Sequence, residues 1–537
     1  MNLLSSNYMD QVLGIDFGTT NSCAYGHQAG RAFIITENSK TTIPSCVLID
    51  NDVVKVGESA KRGRDGTICT NAKRLIGRRW SDNFVQMMSN RCNAEICEKD
   101  GFPVFNVGSR LVTPDEVSEH IIRHLIDLAE KQIGKKITKL VVTVPAYFNM
   151  DQRNATCIAA QKASALDESS VFIINEPTAA AISYNLPAYQ KKRHVMVYDL
   201  GGGTFDISLI KVEKRKVTVI ATGGNNKLGG DDFTAAVANI LCQLYSQVNH
   251  GQSLLPPDSL SGHKTYLRLY KRLLDIAEDV KVGLKTHSEI HVDLESVTSE
   301  GETTVMITES LMEEALQNYI QETLLLMDDV LEQAKLTKDD IDDILLVGGS
   351  SKLNLVKKML SEVYGEEKIS DQLDPDHCVS EGALLYYKEF GGQIQDVNFI
   401  ATQVGGGERV RTKAKTLNEI MNISLGTCVG KDNRYDVMIP KGTHVPGEFS
   451  KIYGVHSFQT SVKDALFQGE AEFTKDCEEV APIEYSGITA ASEGHIRLKY
   501  TFLVDVGGIV RITVTELPGN RVLYGPTIIH YQKGEEN

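Results

Sequence analysis

Apolar residues first occur as short unbroken runs, each closed by glycine with an acid or a hydroxyl. Val12-Leu13-Gly14-Ile15-Asp16 reads as a buried strand ending in a Gly/Thr turn. Leu140-Val141-Val142-Thr143-Val144-Pro145 reads as another, and Val195 to Ile210 as two strands around a glycine turn. Between them the period becomes helical. Thr113 caps, Pro114 sits where its missing N–H costs nothing, Glu116 completes a capping box, and Val117, Ile121, Leu125 and Leu128 recur at helical spacing. Residues 264–337 read as helix broken by a β-like stretch at 288–307, with one helix placed over Leu273 to Lys285. Residues 341–347 read as a strand, followed by Gly348-Gly349-Ser350 and a helix from Lys352 to Tyr364. This alternation predicts α/β domains with internal sheets.

The pattern changes near Gly391. Residues 392–416 are glycine-rich and turn basic at Arg409, Arg411, Lys413 and Lys415, which predicts a linker or exposed insertion. From 417 to 537 helical periodicity fades, and short β-type runs (435–439, 496–506, 509–516) predict a small all-β sandwich. With 42% apolar and 24% charged residues, the chain is neither disordered nor fibrous. Acids outnumber bases 71 to 56, a net charge of −15, which predicts neither nucleic acid nor an anionic membrane as a general partner. An anionic ligand in a local pocket stays open. No apolar run reaches a membrane span, no leader stands at Met1 to Gln11, and the ten cysteines form no C-x-x-C pair. Reduced thiols in a cytoplasmic protein are the expectation.

Two segments carry the chemistry. Gly14-Ile15-Asp16-Phe17-Gly18-Thr19-Thr20-Asn21 and Tyr198-Asp199-Leu200-Gly201-Gly202-Gly203-Thr204-Phe205-Asp206 are each a strand, an aspartate and a turn of glycine and threonine. Glycine lets backbone N–H groups crowd a phosphate, and threonine adds donors. An aspartate beside phosphates calls for a bridging Mg²⁺. One such loop would read as a hairpin turn. Two with matching offsets predict a nucleotide clamped between two half-domains, and the Walker-A and G-x-G-x-x-G signatures are absent.

These words, with Asn71-Ala72-Lys73-Arg74-Leu75-Ile76-Gly77-Arg78, Val142-Thr143-Val144-Pro145-Ala146-Tyr147-Phe148-Asn149, Ile174-Asn175-Glu176-Pro177-Thr178, Leu228-Gly229-Gly230-Asp231 and Leu346-Val347-Gly348-Gly349-Ser350, stand in family order. The sequence resembles the heat shock protein 70 chaperone family, strongly over 10–390 and weakly over 417–537. The resemblance implies an actin-like ATPase domain over 1–391, of two lobes each with an RNase H-like mixed sheet, and a peptide-binding β sandwich over 417–537. It implies hydrolysis of ATP to ADP and phosphate with Mg²⁺, coupled to binding of unfolded or extended polypeptide.

Residue by residue, the resemblance gives Lys73 contact with the γ-phosphate and the attacking water. It gives Asp16 and Asp199 the hydrated Mg²⁺, and Glu176 and Asp206 the polarisation of the water. Thr204 stands by the γ-phosphate. Gly18, Thr19, Thr20, Asn21, Gly201, Gly202, Gly203 and Gly230 cradle phosphates. Glu278, Lys281, Gly348, Gly349, Ser350, Lys352 and Asp376 border ribose and base. Pro145 and Arg153 match a relay carrying the nucleotide state outward. Ile452, Val455, Val462 and Asp464 fall on the peptide cleft, Val462 at its central pocket and Asp464 where the family is apolar.

The departures are specific. Val282 and Lys352 stand where two arginines sandwich the adenine, and Lys285 replaces a serine, so weaker or less selective nucleotide binding is expected. Gln395-Asp396-Val397-Asn398-Phe399-Ile400 replaces an acid followed by leucines, so weaker coupling is expected. Phe172 replaces an arginine that J-domain co-chaperones engage, which leaves that partner and a nucleotide-exchange factor open. Family members usually continue with a helical lid, so a chain stopping at Asn537 predicts fast, shallow peptide binding. A nucleotide-binding scaffold without cycling is the second reading, and a sugar kinase on the same fold a remote third.

Overall fold

The computed structural model describes residues 10–28, 31–63, 66–88, 94–185, 191–213, 216–256, 263–370, 372–390, 416–430 and 432–528. They form two compact units. The first joins residues 1–195, 208–222 and 372–537, and the second joins 196–207 and 223–371. The β sandwich therefore groups with the first unit.

In the first unit a sheet runs in the order Val171–Asn175, Lys139–Val144, Val12–Asp16, Asn21–Gln28, Arg31–Ile34. The first three strands are parallel and the next two antiparallel. The unbroken apolar runs are explained by burial on both faces. Helices Pro114–Ile133 and Cys378–Phe390 both pack against Val12–Asp16. Gly14 is the contact point with the second helix, because a Cβ there would come 2.6 Å from the Ser380 carbonyl oxygen.

Thr113 Oγ1 caps its helix as expected, accepting from Glu116 N at 3.2 Å. The predicted capping box does not close. The Glu116 carboxylate instead accepts from Arg110 Nη2 at 2.7 Å, an ion pair that outcompetes the neutral backbone N–H.

The second unit contains the strand order Ile369–Ser370, Asp343–Val347, then the Met196–Leu200 and Phe205–Ile207 portions of two further strands. Helices Gly230–Val248, His263–Gly283 and Glu309–Ala334 and the hairpin Glu289–Asp293/Thr304–Thr308 complete it. The predicted helix over 273–285 thus starts earlier, at His263, and ends at Gly283. The helix expected from Lys352 starts at Asn354, because Gly348 (φ +80°) leads first into a single 3₁₀ turn, Gly349–Lys352.

The sandwich has one sheet ordered Arg434–Ile439, Leu425–Val429, Ser461–Gln468, Glu478–Ser486. The other is ordered Gly447–Gly454, Arg497–Val504, Val510–Leu517, Arg521–Ile528. Their inner faces meet in a core that includes Leu425, Leu466, Ile483, Phe502 and Ile512, and Met150 of the ATPase part joins it. The strand Thr416–Ile420 leads in and pairs in parallel with Lys216–Thr218. The expected linker, including Gln395–Ile400 and the basic stretch, lies outside the described residues up to Thr416. Among the described residues no helix is long and apolar enough to cross a membrane.

Candidate functional site

The first unit brings together Asp16, Lys73, Glu176 and Asp376. Asp16 ends a buried strand, and Glu176 follows another and opens the helix Glu176–Ser183. Lys73, in the short helix Ala72–Leu75, donates from Nζ to Glu176 Oε1 at 2.5 Å, with side chains only 6% and 8% exposed. Its ammonium also lies 5.9 Å from the centre of the Phe17 ring. Thr143 Oγ1 donates to Asp16 Oδ1 at 3.3 Å. Burial, then repulsion by Glu176, pushes the Asp16 carboxyl up to about 7, with Lys73 and Thr143 opposing and Asp376 adding.

The turn after Asp16 is built for close approach. Gly18 N donates to Ser22 Oγ at 3.2 Å, and Ser45 Oγ donates to the Gly18 carbonyl at 2.8 Å. A Cβ at Gly18 would strike the backbone of Asn21. Thr20 and Asn21 are exposed and Thr19 half-buried.

The second unit carries the other loop and the base-side residues. Gly201 N donates to the Thr204 carbonyl at 3.0 Å, and the Gly201 carbonyl accepts from Gly230 N at 3.0 Å. A Cβ on Gly229 would sit 2.6 Å from Gly203, and one on Gly348 would sit 2.5 Å from the Leu200 carbonyl oxygen and 2.8 Å from Asp199 Oδ1. Glycine is therefore obligatory where the two glycine turns meet. Asp206 is buried. Lys281 is buried too, donating to the Gly230 carbonyl at 3.0 Å and Thr234 Oγ1 at 2.9 Å and pairing with Glu278 at 2.7 Å. On the same helix Val282 is 60% exposed, and just past its end Lys285 also faces solvent. The polar pair Glu278–Lys281 is thus pre-set, while the stacking position offers only an aliphatic side chain.

The donor set suits a hydrated magnesium. The half-buried Asp16 and the buried Glu176 beside one lysine leave this cluster of the first unit short of positive charge, and Asp16 is pushed up in part for that reason. Among the described residues no three His, Cys, Asp or Glu side chains converge as direct ligands, so a magnesium ion would keep most of its water.

Pro145 and Arg153, expected to form a relay, lie where the sandwich meets the ATPase part of the first unit. Arg153 is buried and donates to the carbonyls of Phe148 (2.9 Å), Ala146 (2.9 Å) and Gly507 (2.8 Å) and to Asn175 Oδ1 (2.7 Å). Burial pushes its guanidinium down to about 10. Pro145 accepts from Phe148 N at 3.2 Å in the turn that shapes this seat. Asn422, Gln468 and Gly507 of the sandwich complete it. Asn422 Nδ2 donates to the Tyr147 and Phe148 carbonyls, and Gln468 Oε1 accepts from Met150 N. Phe172 packs its ring on Tyr387, 5.5 Å between centres.

The cleft residues divide. Val462 and Asp464 lie on the inward side of Ser461–Gln468, while Ser461 and Lys463 face solvent. Val455 is buried in the sandwich core, and Ile452, on the other sheet, is 50% exposed. Asp464 Oδ1 accepts from Ala465 N at 2.7 Å and Cys428 N at 3.4 Å, and burial pushes its carboxyl up to about 6. Tyr453, Tyr485 and Tyr500 surround it electrostatically, and the Tyr485 and Tyr500 hydroxyls lie 2.8 Å apart.

Comparison with known proteins matches a family model described as Hsp70 protein over residues 12–522. A heat shock cognate HSP70 protein of Trypanosoma brucei brucei is 34% identical over 95% of this chain and 73% of its own length. A ribosome-associated molecular chaperone of Eremothecium gossypii is 32% identical over 94% of this chain and 79% of its own. A heat shock protein of Pyricularia oryzae is 32% identical over 96% of this chain and 82% of its own.

Proposed function

The chain belongs to the Hsp70 family, as a chaperone of that type, and from this premise we propose that it binds and hydrolyses Mg-ATP and couples that cycle to an extended polypeptide held by the β sandwich. The observation carrying the catalytic part is the buried Lys73–Glu176 pair beside Asp16. Phosphoryl transfer to water needs positioning and charge neutralisation more than covalent chemistry. A lysine fixed at 2.5 Å from a buried glutamate supplies a positive charge that need not reorganise during the reaction. Glu176 and Asp206 accept hydrogen bonds from the attacking water. Asp16 and Asp199 would hold Mg²⁺, which when bound neutralises the phosphate oxygens. Thr19, Thr20, Thr204 and the glycine turns contact phosphates, and Asp376 lies at the ribose end. Cytoplasmic location belongs to the same proposal, with J-domain and exchange-factor partners left to experiment. Steady-state turnover with and without an unfolded peptide tests it. Peptide-stimulated release of phosphate supports the cycle, and turnover at buffer background would favour a nucleotide-binding scaffold.

Base selectivity is expected to be poor. Losing two arginine faces removes about 0.5–2 kcal/mol of stacking each. Competition titration should place GTP within about tenfold of ATP, and a strong ATP preference at nanomolar affinity would refute this.

In the cleft, Asp464 sets the floor. An acid at this position disfavours a leucine side chain and favours one carrying a donor or a cation. The Asp464→Ile substitution is expected to strengthen binding of a leucine-centred peptide about tenfold, read by fluorescence anisotropy. An unchanged or weaker affinity would remove Asp464 from the cleft.

A further inference from the structure

The seat between the ATPase part and the sandwich buries more acid than base. Glu419, 2% exposed, is hydrogen-bonded by neutral partners, Thr178 Oγ1 and the Asn175 side chain, with Arg153 acting on it only through space. Asp505 accepts from Ile509 N at 2.9 Å and faces Cys157, Tyr386, Arg511 and Arg153. Arg511 spends its hydrogen bonds on Glu168, at 2.8 and 3.3 Å, and its Nη1 finds no partner. Asp151 is fully buried, its Oδ1 has no hydrogen-bond partner, and its Oδ2 is 3.4 Å from Gln468 Nε2. That same Nε2 donates to Glu478 at 2.9 Å, and Arg79 is the cation acting on both carboxyls, with Arg78 and Asp82 further influences on Glu478. Arg153, the cation at the centre, gives every one of these bonds to a carbonyl or an amide.

We propose that this seat takes up protons as it closes, so that acid favours the docked sandwich and alkali releases it. Two buried carboxyls, Glu419 and Asp151, and the half-buried Asp505, none with a hydrogen-bonded cation, cannot all stay ionised at low dielectric. Burial pushes Glu419 up to about 7, Asp505 to about 6 and Asp151 to about 8. Once exposed, each returns toward an ordinary carboxylate at about 4. Between those values the docked state binds more protons than the released one. The proton-linked part of docking is therefore fully present below about pH 4. It weakens about tenfold per pH unit for each proton taken up, and is spent above about pH 8.

That the sandwich leaves its seat at all rests on the chaperone reading, so the test uses the full chain without nucleotide or peptide. Small-angle scattering from pH 6 to pH 8.5 is expected to show expansion with rising pH, the docking constant falling about a thousandfold between pH 6 and pH 8. In the triple variant Glu419→Gln, Asp505→Asn, Asp151→Asn the protein should stay compact throughout. If the triple variant does not fold, Asp151→Asn and Glu419→Gln alone should each flatten the response, and hydrogen exchange over 503–509, corrected for intrinsic rates, reads the same opening. Dimensions and exchange that ignore pH, or a response identical in wild type and variants, overturn the proposal. A chain that hydrolyses no ATP but still opens with pH overturns the cycle and leaves proton-linked docking standing.

Discussion

The Lys73→Ala substitution is expected to lower ATP turnover by about two to three orders of magnitude, the loss seen when one preorganised charge is removed from a transition state. Lys73 is held by burial, by Glu176 at 2.5 Å and by the Phe17 ring, so its ammonium does not have to be ordered in each cycle. Without it, Asp16 and Glu176 share a buried site that has lost its lysine. Asp16, already pushed up to about 7 with Lys73 in place, rises further and holds a proton at neutral pH. A carboxylic acid binds Mg²⁺ poorly, so the variant should also need more magnesium for whatever turnover remains. Removing one member of a buried pair costs about 3–5 kcal/mol, so the melting temperature is measured alongside. Lys73→Met keeps the stem and removes the charge. It should fold better than alanine and hydrolyse no faster. Turnover within about threefold of wild type in a folded variant would remove Lys73 from the chemistry.

The half of this arrangement proposed to be catalytic was legible because its two loops of glycine and threonine are local. Asp16 and Gly18, or Asp199 and Gly203, need only the chain between them, so order and glycine placement carry the geometry. The buried runs marked the internal strands for the same reason. The seat was less legible because it is assembled from residues far apart in the chain. Nothing near Glu419 marks it as buried under Thr178, and Asp505 reads as an ordinary acid in a glycine turn. Nothing in the sequence marks Gln468 and Gly507 as contacts across the seat. A Cβ at Gly507 would strike the Ile173 carbonyl, a packing demand no periodicity reports. The Glu116 capping box failed on similar grounds, since Arg110 precedes the helix and only the fold brings the two together. In the sandwich Val462 and Asp464 share the inward side of their strand, as alternation along a strand requires, whereas Val455 follows its strand's end and turns into the core, which alternation does not report.

Arg153→Ala should release the sandwich while sparing the chemistry, the reverse of the Lys73 result. Four buried acceptors, the carbonyls of Ala146, Phe148 and Gly507 and the Asn175 amide oxygen, lose this donor at once. The Phe148 carbonyl keeps its bond from Asn422, and each acceptor left unpaired costs about 1–3 kcal/mol. Three of them belong to the ATPase part and one to the sandwich, so separation lets water reach all four. Opening therefore becomes the cheaper way to relieve the cost. Peptide-stimulated turnover is expected to fall to the basal level, with basal turnover held within about threefold and scattering showing an expanded particle even at pH 6. Arg153→Lys should recover only part of the effect, because an ammonium cannot match a planar fork aimed at four acceptors. Gly507→Ala offers an independent route, since it forces the sandwich loop off Ile173 while Arg153 keeps its ATPase-side bonds. If both variants expand and both lose stimulation, the signal passes through docking itself. If Arg153→Ala loses stimulation yet stays compact, the arginine transmits the nucleotide state within the ATPase part, and the seat is only its anchor.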